Sequence, residues 1–301
     1  MLQTELKGKE AKMKESEKEG VEGRKVLEKM TKEVDKLKRE VENENWGEER
    51  EKELDERRRT CRARIAELTE QRDALRSKLS ALEFSYTPPS SNFDTSKVHG
   101  LVAKLVDLPA SSHASSTALE IAAGGKLYNV VVENEKVGSD LLQKGQLKKR
   151  VTIIPLNKIN QPKVPTEKLN AANQIAPGKV NVALSLVGFE HEVKAAMSYV
   201  FGDTLICSDS ASAQAVTFSP QVGMKSVTLD GDVYDPSGTL SGGSKPSGSG
   251  ILIKVMELKE CEAELEEAQR EGAQVKNEWE QTREKAKRWE ERRRELEIKS
   301  H

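Results

Sequence analysis

Apolar residues keep two different rhythms along this chain. From Leu258 onward, Leu258, Cys261, Leu265, Ala268, Gly272, Val275, Trp279, Thr282, Ala286, Trp289, Arg293 and Leu296 alternate at spacings of three and four. Held over more than five heptads, that spacing predicts a helix with a coiled-coil seam. The N-terminal part repeats it twice. Leu27, Met30, Val34, Leu37 and Val41 form one run; Leu54, Cys61, Ile65, Leu68, Arg72, Leu75, Leu79 and Leu82 form the other. The two runs differ in phase, so a local interruption is expected near Asn43-Glu44-Asn45-Trp46-Gly47. Seams of equal phase on both sides of the middle segment predict arms that pair with each other, antiparallel, rather than two separate helices. Setting Leu82 opposite Leu258 puts Cys61 near Trp279 and Leu296 near Glu44. Residues before about 39 then have no partner in this sequence, as in a piece of something longer.

Between the arms the rhythm breaks after Pro88-Pro89-Ser90-Ser91, a natural joint. Val98–Leu108 alternates as a strand does. Tyr128–Val132, Val151–Leu156, Thr204–Cys207 and Ser226–Leu229 read as further strands. Ser115–Ala123, Val137–Leu147, Phe189–Phe201 and Ala211–Phe218 read as helices, with Ser115 or Ser116 as an N-cap ahead of Glu120. Strands alternating with helices predict an α/β domain, and the glycine run before the second arm predicts a turn-rich closing element. The expected organisation is an N-terminal coiled-coil arm (1–84), a compact domain of mixed strands and helices (85–250) and a C-terminal coiled-coil arm (251–301).

Composition sharpens this division. Residues 85–250 hold 29 charged side chains, all ten prolines and 15 of the 20 glycines; the flanks hold the remaining 70 charges and no proline. Proline in a helix interior costs about 3 kcal/mol, so its absence fits uninterrupted helices. A net charge of −1 gives no general drive toward nucleic acid, and any such contact has to be a local patch. No apolar run reaches membrane length. Cys61, Cys207 and Cys261 are odd in number and lack C-x-x-C spacing, which argues against a disulfide framework or a zinc site and for a reducing compartment.

Candidate chemistry is sparse. His99, His113, His191 and His301 have no metal-ligand spacing. Asp230, Asp232 and Asp235 fit turns better than a calcium loop, because Ser241 stands where an EF-hand needs glutamate. Leu240-Ser241-Gly242-Gly243 matches the start of an ABC-ATPase signature, yet no G-x-x-x-x-G-K-[ST] loop accompanies it. The densest basic run of the middle domain is Lys144-Gly145-Gln146-Leu147-Lys148-Lys149-Arg150, which Lys158, Lys163, Lys245 and Lys254 extend in sequence. Such a run is either a solvated helix end or a phosphate-binding patch.

The segment Asp230-Gly231-Asp232-Val233-Tyr234-Asp235-Pro236-Ser237-Gly238-Thr239-Leu240-Ser241-Gly242-Gly243 closely resembles the G-D-x-[FY]-x-P-x-G-T-L-S-G-G signature of the hinge domain of SMC (structural maintenance of chromosomes) proteins. Gly100-Leu101-Val102, Ala118-Leu119-Glu120, Tyr128–Val132 and Thr152–Asn157 look the same, with a condensin-type hinge the better match over a cohesin-type or other SMC hinge. The resemblance implies a dimerisation module that binds the hinge of a second SMC subunit, in condensin the one called protein 4, as a heterodimer. It implies Gly231, Gly238, Leu240, Gly242 and Gly243 at the dimer interface, with glycine permitting positive φ and close backbone approach. It implies arms that connect to an ATPase head, a complex that encloses and compacts chromosomal DNA, and a place in the nucleus on chromosomes, with cytoplasm. This stretch itself is then no enzyme and takes no cofactor, metal or membrane. A second role, weak DNA binding at the hinge–arm junction, falls to Lys144, Lys148, Lys149, Arg150, Lys158 and Lys245.

Overall fold

A computed structural model describes residues 2–43, 48–243 and 250–300. Helices α1 (Leu2–Asn43) and α2 (Glu48–Lys78) come first. The middle domain then runs β1 (Val98–Leu101), α3 (Val102–Leu105), α4 (Ser116–Ala123), β2 (Val130–Val132), α5 (Glu135–Lys144) and β3 (Ile153–Pro155). It continues with α6 (Thr166–Ile175), β4 (Val180–Val182), α7 (Lys194–Phe201), β5 (Leu205–Cys207), α8 (Ser210–Thr217), β6 (Ser226–Thr228), β7 (Val233–Tyr234) and β8 (Leu240–Ser241). Helix α9 (Ile251–Ser300) closes the chain. Two compact units result, Leu68–Glu264 and Met1–Glu67 with Leu265–His301.

In the first unit the chain performs the same manoeuvre twice. Strand β2 lies between antiparallel β1 and parallel β3; strand β5 lies between antiparallel β4 and parallel β6. Each half has a short helix before its central strand, α4 or α7, and these two pack on each other. Each central strand is followed by a helix N-capped in extended geometry. Asn134 accepts from the amides of Lys136 and Val137 at the head of α5, and Asp209 from that of Ser212 at the head of α8. The Asp209 bonds, together with Lys179 at 3.0 Å, hold its carboxyl down at about 2. The halves meet at Asp107 and Gly188, which exchange both backbone hydrogen bonds at 2.8 and 2.7 Å. Only the second sheet continues, adding β7 and then β8 in antiparallel order.

The core follows the period-2 rule on β5: Ile206 faces the main cluster with Val130–Val132, Ala196, Val200 and Phe201, while Leu205 and Cys207 face a smaller one with Ala172, Ala213 and Val216. Burial pushes the Cys207 thiol up to about 11, so it serves as packing. Three sequence expectations change. The alternating run from Val98 breaks at Val102 into a helical turn, with Val102, Ala103, Val106 and Leu108 all buried. Neither Ser115 nor Ser116 caps α4; Ser115 stands at the cap position with no side-chain bond. Helix α6 and strands β4, β7 and β8 are additional elements.

Within the second unit, α9 runs antiparallel to α2 and α1. Lys299 pairs with Glu33 at 3.3 Å, Arg292 approaches Glu40 at 3.8 Å, and the Arg58 guanidinium stacks on Trp279, 3.8 Å from the ring centre. The predicted seam is the buried one: Leu54, Leu265, Ala268, Val275 and Ala286 are covered, with Arg293 exposed and Arg292 half-buried in its place. The register differs from the expected one. Cys61 faces Gly272, not Trp279, and the pairing reaches back to Glu33 rather than stopping near residue 39. Val34, Leu37 and Val41 are accordingly half-buried, whereas Leu27 and Met30 are exposed. Of the expected interruption, residues 44–47 lie outside the described residues.

A cross-link tests this register. A Cβ built on Gly272 lies 3.7 Å from that of Cys61, against a disulfide mean of about 3.8 Å. Gly272→Cys should therefore form a disulfide with Cys61 under mild oxidation, and Trp279→Cys should not. Mass spectrometry of a non-reduced digest reads the result, and the reverse outcome would overturn the register.

Candidate functional site

The signature segment folds as two consecutive hairpins. The first joins β6 to β7 at Gly231, where φ is +99°, with Gly231 N–H donating to the Thr228 carbonyl and Asp232 N–H to the Thr228 hydroxyl. The second joins β7 to β8 through Asp235-Pro236-Ser237-Gly238. Here the Asp235 carboxylate accepts from the Ser237 amide and hydroxyl at 2.9 and 2.5 Å, which holds its carboxyl below the usual range. Gly238 donates to the Asp235 carbonyl and sits at φ +97°. Proline second and glycine in the left-handed region are what this turn chemistry requires. The aspartates thus make turns, as their spacing suggested.

The five signature positions separate by what surrounds them. A Cβ at Gly231 would lie 2.5 Å from Ile121 Cδ1 of α4, and one at Gly242 would overlap the Asp232 carboxylate. Gly231 is constrained by its positive φ as well as by Ile121, and a side chain at Gly242 would require the Asp232 carboxylate to swing aside. Among the described residues nothing crowds Gly238 or Gly243 (φ +102°), which need glycine for their backbone. Leu240 has no internal role of this kind: it is 64% exposed on β8, at one end of the five-stranded order. Its register partner is Tyr234, whose ring meets that of Phe218 edge-on at 6.4 Å. Tyr234 and Phe218 were not among the sequence candidates, although Tyr234 lies in the signature itself, and Asp232 was read there only as a turn former. Phe218 left no signal beyond closing α8.

The basic candidates also separate. Lys144 ends α5, and Gly145 closes it by donating to Leu141 O at 2.8 Å. Gln146 takes a left-handed φ of +48°, and the chain turns so that Leu147, Lys148, Lys149 and Val151 line a cleft of about 120 Å³ with Glu83, Phe84 and Ser85. Phe84, Tyr86 and Phe93 stack in succession at 5.5 and 6.1 Å. Lys144, Lys148, Lys149 and Arg150 are exposed, with no ion-pair partner among the described residues. Lys158 is elsewhere: it pairs with Glu135 at 3.8 Å, at the opposite end of α5 and so about 15 Å from Lys144. Lys245 lies outside the described residues.

The SMC proteins flexible hinge domain matches residues 95–217. The chain carries an SMC hinge domain with adjoining coiled-coil segments, and the hinge is a non-catalytic domain. Among its relatives are structural maintenance of chromosomes protein 2 of Schizosaccharomyces pombe, 49% identical over 77% of this chain, and that of Homo sapiens, 43% identical over 77%. The chain spans about a fifth of the length of these curated relatives, 20% and 19%. In fold it is similar to an asymmetric dimer of the Geobacillus stearothermophilus SMC hinge domain (TM-score 0.51, 23% identity, 86% of this chain and 99% of that one). It is also similar to the folded elbow of cohesin (TM-score 0.62, 20% identity, 90% of this chain and 39% of that one).

The two kinds of glycine make a prediction. Gly242→Ala should destabilise the domain by about 1–3 kcal/mol through overlap with Asp232. Asp232→Ala should recover most of that loss in the double variant, a coupling of at least about 1 kcal/mol in a denaturation cycle. Additive effects would remove Asp232 as the cause.

Proposed function

We propose that this chain is the dimerisation hinge of a condensin-type SMC subunit. It binds the hinge of a second subunit, of the protein 4 type, and so joins two arms in a complex that encloses and compacts chromosomal DNA in the nucleus. The domain doing this is residues 85–250, with 1–84 and 251–301 as arms. The observation that carries the reading is the free end of the five-stranded sheet. Among the described residues strand β8 pairs with β7 alone; it presents Leu240 to solvent and is flanked by Gly238 and Gly243, beside which the described residues leave space. An open strand edge with an apolar side chain and no side chains in the way is a surface on which another strand adds. The Geobacillus hinge forms an asymmetric dimer in its crystal structure, which supports the same reading.

Leu240→Glu is the direct test. Leu240 is exposed, so monomer stability should change by no more than about 0.5 kcal/mol. Affinity for the partner hinge, measured by mass in solution, should fall at least about tenfold. A full-affinity heterodimer would place the interface elsewhere.

A second reading is favoured by the four cations Lys144, Lys148, Lys149 and Arg150 beside the Phe84 cleft, unpaired among the described residues. Exposed cations that form no ion pair attract phosphate, and an aromatic side chain beside them accepts a base. We infer weak, sequence-independent DNA contact there. Lys148→Glu, Lys149→Glu and Arg150→Glu together should weaken DNA binding and reduce its log–log salt slope by up to about 3. An unchanged slope would assign these residues to a solvated helix end.

A further inference from the structure

Helix α9 begins without a cap of its own. Position 250 is glycine at φ +95°, whose carbonyl accepts the first helical bond from Lys254 N–H at 2.9 Å, and glycine has no side chain to offer the free amides of the first turn. The acceptor comes from 130 residues away. Glu120 of α4 receives Gly250 N–H at 2.9 Å on Oε2 and Leu252 N–H at 2.8 Å on Oε1. Only 9% of Glu120 is exposed. Burial pushes the Glu120 carboxyl above the usual carboxylate range, opposed in part by the amides of the helix N-terminus and by Lys254. The neighbouring residue, Ile121, lies under Gly231, the first glycine of the signature, and α4 also packs on α7 and β6.

We propose that Glu120 is a latch that ties the outgoing arm helix to the core of the hinge, and that the signature loop reaches this latch through Ile121. One side of α4 bears the loop and the other receives the arm. A shift of α4 by a fraction of its packing distance takes Glu120 away from both amides together, so the first turn of α9 holds or frays as a unit. The route from the loop rests on the assignment of the signature segment to the dimer contact. The latch itself does not.

Amide hydrogen exchange on the whole chain, with no partner hinge present, tests both parts and is indifferent to whether dimers form. Glu120→Ala should accelerate exchange in peptides covering 250–254 at least about tenfold, the loss expected for bonds to a charged acceptor. Strand β5 should keep its protection. Glu120→Gln, which retains one acceptor oxygen, should fall between. Wild-type protection in Glu120→Ala, or an equal acceleration in β5, would overturn the latch. Should that variant not fold, Glu120→Asp, one methylene shorter, takes its place with the same two outcomes. For the route, Ile121→Ala should accelerate the 250–254 peptides in the Glu120 background but not further in Glu120→Ala. Equal factors in both backgrounds would overturn it.

Discussion

The ends of the two arm helices are part of the hinge core, and the remaining geometry of that unit depends on it. Leu79 and Leu82 on the way in, and Leu252, Val255 and Leu258 on the way out, belong to the same buried cluster as Val130–Val132 and Phe201. Burying a leucine is worth about 1.5–3 kcal/mol, and Leu82 and Leu252 are each 1% exposed. The Arg76–Glu262 pair alongside them is roughly half exposed on both sides and contributes about 1 kcal/mol or less. Packing, then, sets where the helices enter; charge only trims it. Polar contacts finish the job where packing has no direction. Lys259 donates to Val106 O and Asp107 Oδ1, and Asp107 is the residue at which the two halves of the domain exchange backbone bonds. A pull on the first turns of α9 is therefore felt at the seam between the halves.

That seam explains why the domain has a free edge at all. Two copies of one strand–helix pattern, joined at Asp107 and Gly188, would make a nearly symmetric body with short sheets of three strands. The second half departs from the first after β6, where the signature adds a pair of two-residue strands. Strands this short form only because Asp235 and Gly238 close their turn and Thr228 and Gly231 close the one before it. The signature is an appendage built almost wholly from turn chemistry. Its last strand is left with one side unpaired among the described residues, so the segment that carries the sequence resemblance also breaks the internal symmetry.

Much of this was legible in the sequence, and the parts that were not share a cause. The arms were readable because a 3-4 spacing repeated over several turns overwhelms local exceptions such as Gly272 and Thr282. Their register was not, because a coiled-coil seam looks alike when shifted by a heptad; Cys61 faces Gly272 instead of Trp279 for that reason. Strands β2, β3, β5 and β6 were readable as short apolar runs. Strand β4, Val180-Asn181-Val182, carries too little pattern, and its place is set by pairing with β5. Missing β4 hid the internal repeat. Val98–Leu108 misled because alternation and a helical turn leave the same residues buried when both sides of the segment are covered. Glu120 misled in another way: four residues past Ser116 it reads as part of a local helix start, while its actual partners lie across the fold. Local rules see a helix start; only tertiary structure shows which one the residue caps.

The glycines show how a motif and its physics divide the work. By sequence, Gly231, Gly238, Gly242 and Gly243 form one class, and a single explanation, close approach of a partner, covers them all. In the structure Ile121 and Asp232 occupy the space beside Gly231 and Gly242, so contacts inside the domain bear on those two positions. Gly238 and Gly243 are constrained by their own φ, and the empty space around them is what a partner strand would use. Replacing both Gly242 and Gly243 by glutamate, the obvious way to probe such an interface, therefore confuses a fold defect with a binding defect. It would force the Asp232 carboxylate aside at one position and strain the backbone at the other. Leu240 is free of both effects, because nothing in the chain depends on it. Leu240, apolar and 64% exposed, is therefore the position of the signature at which a binding defect can be read apart from a fold defect.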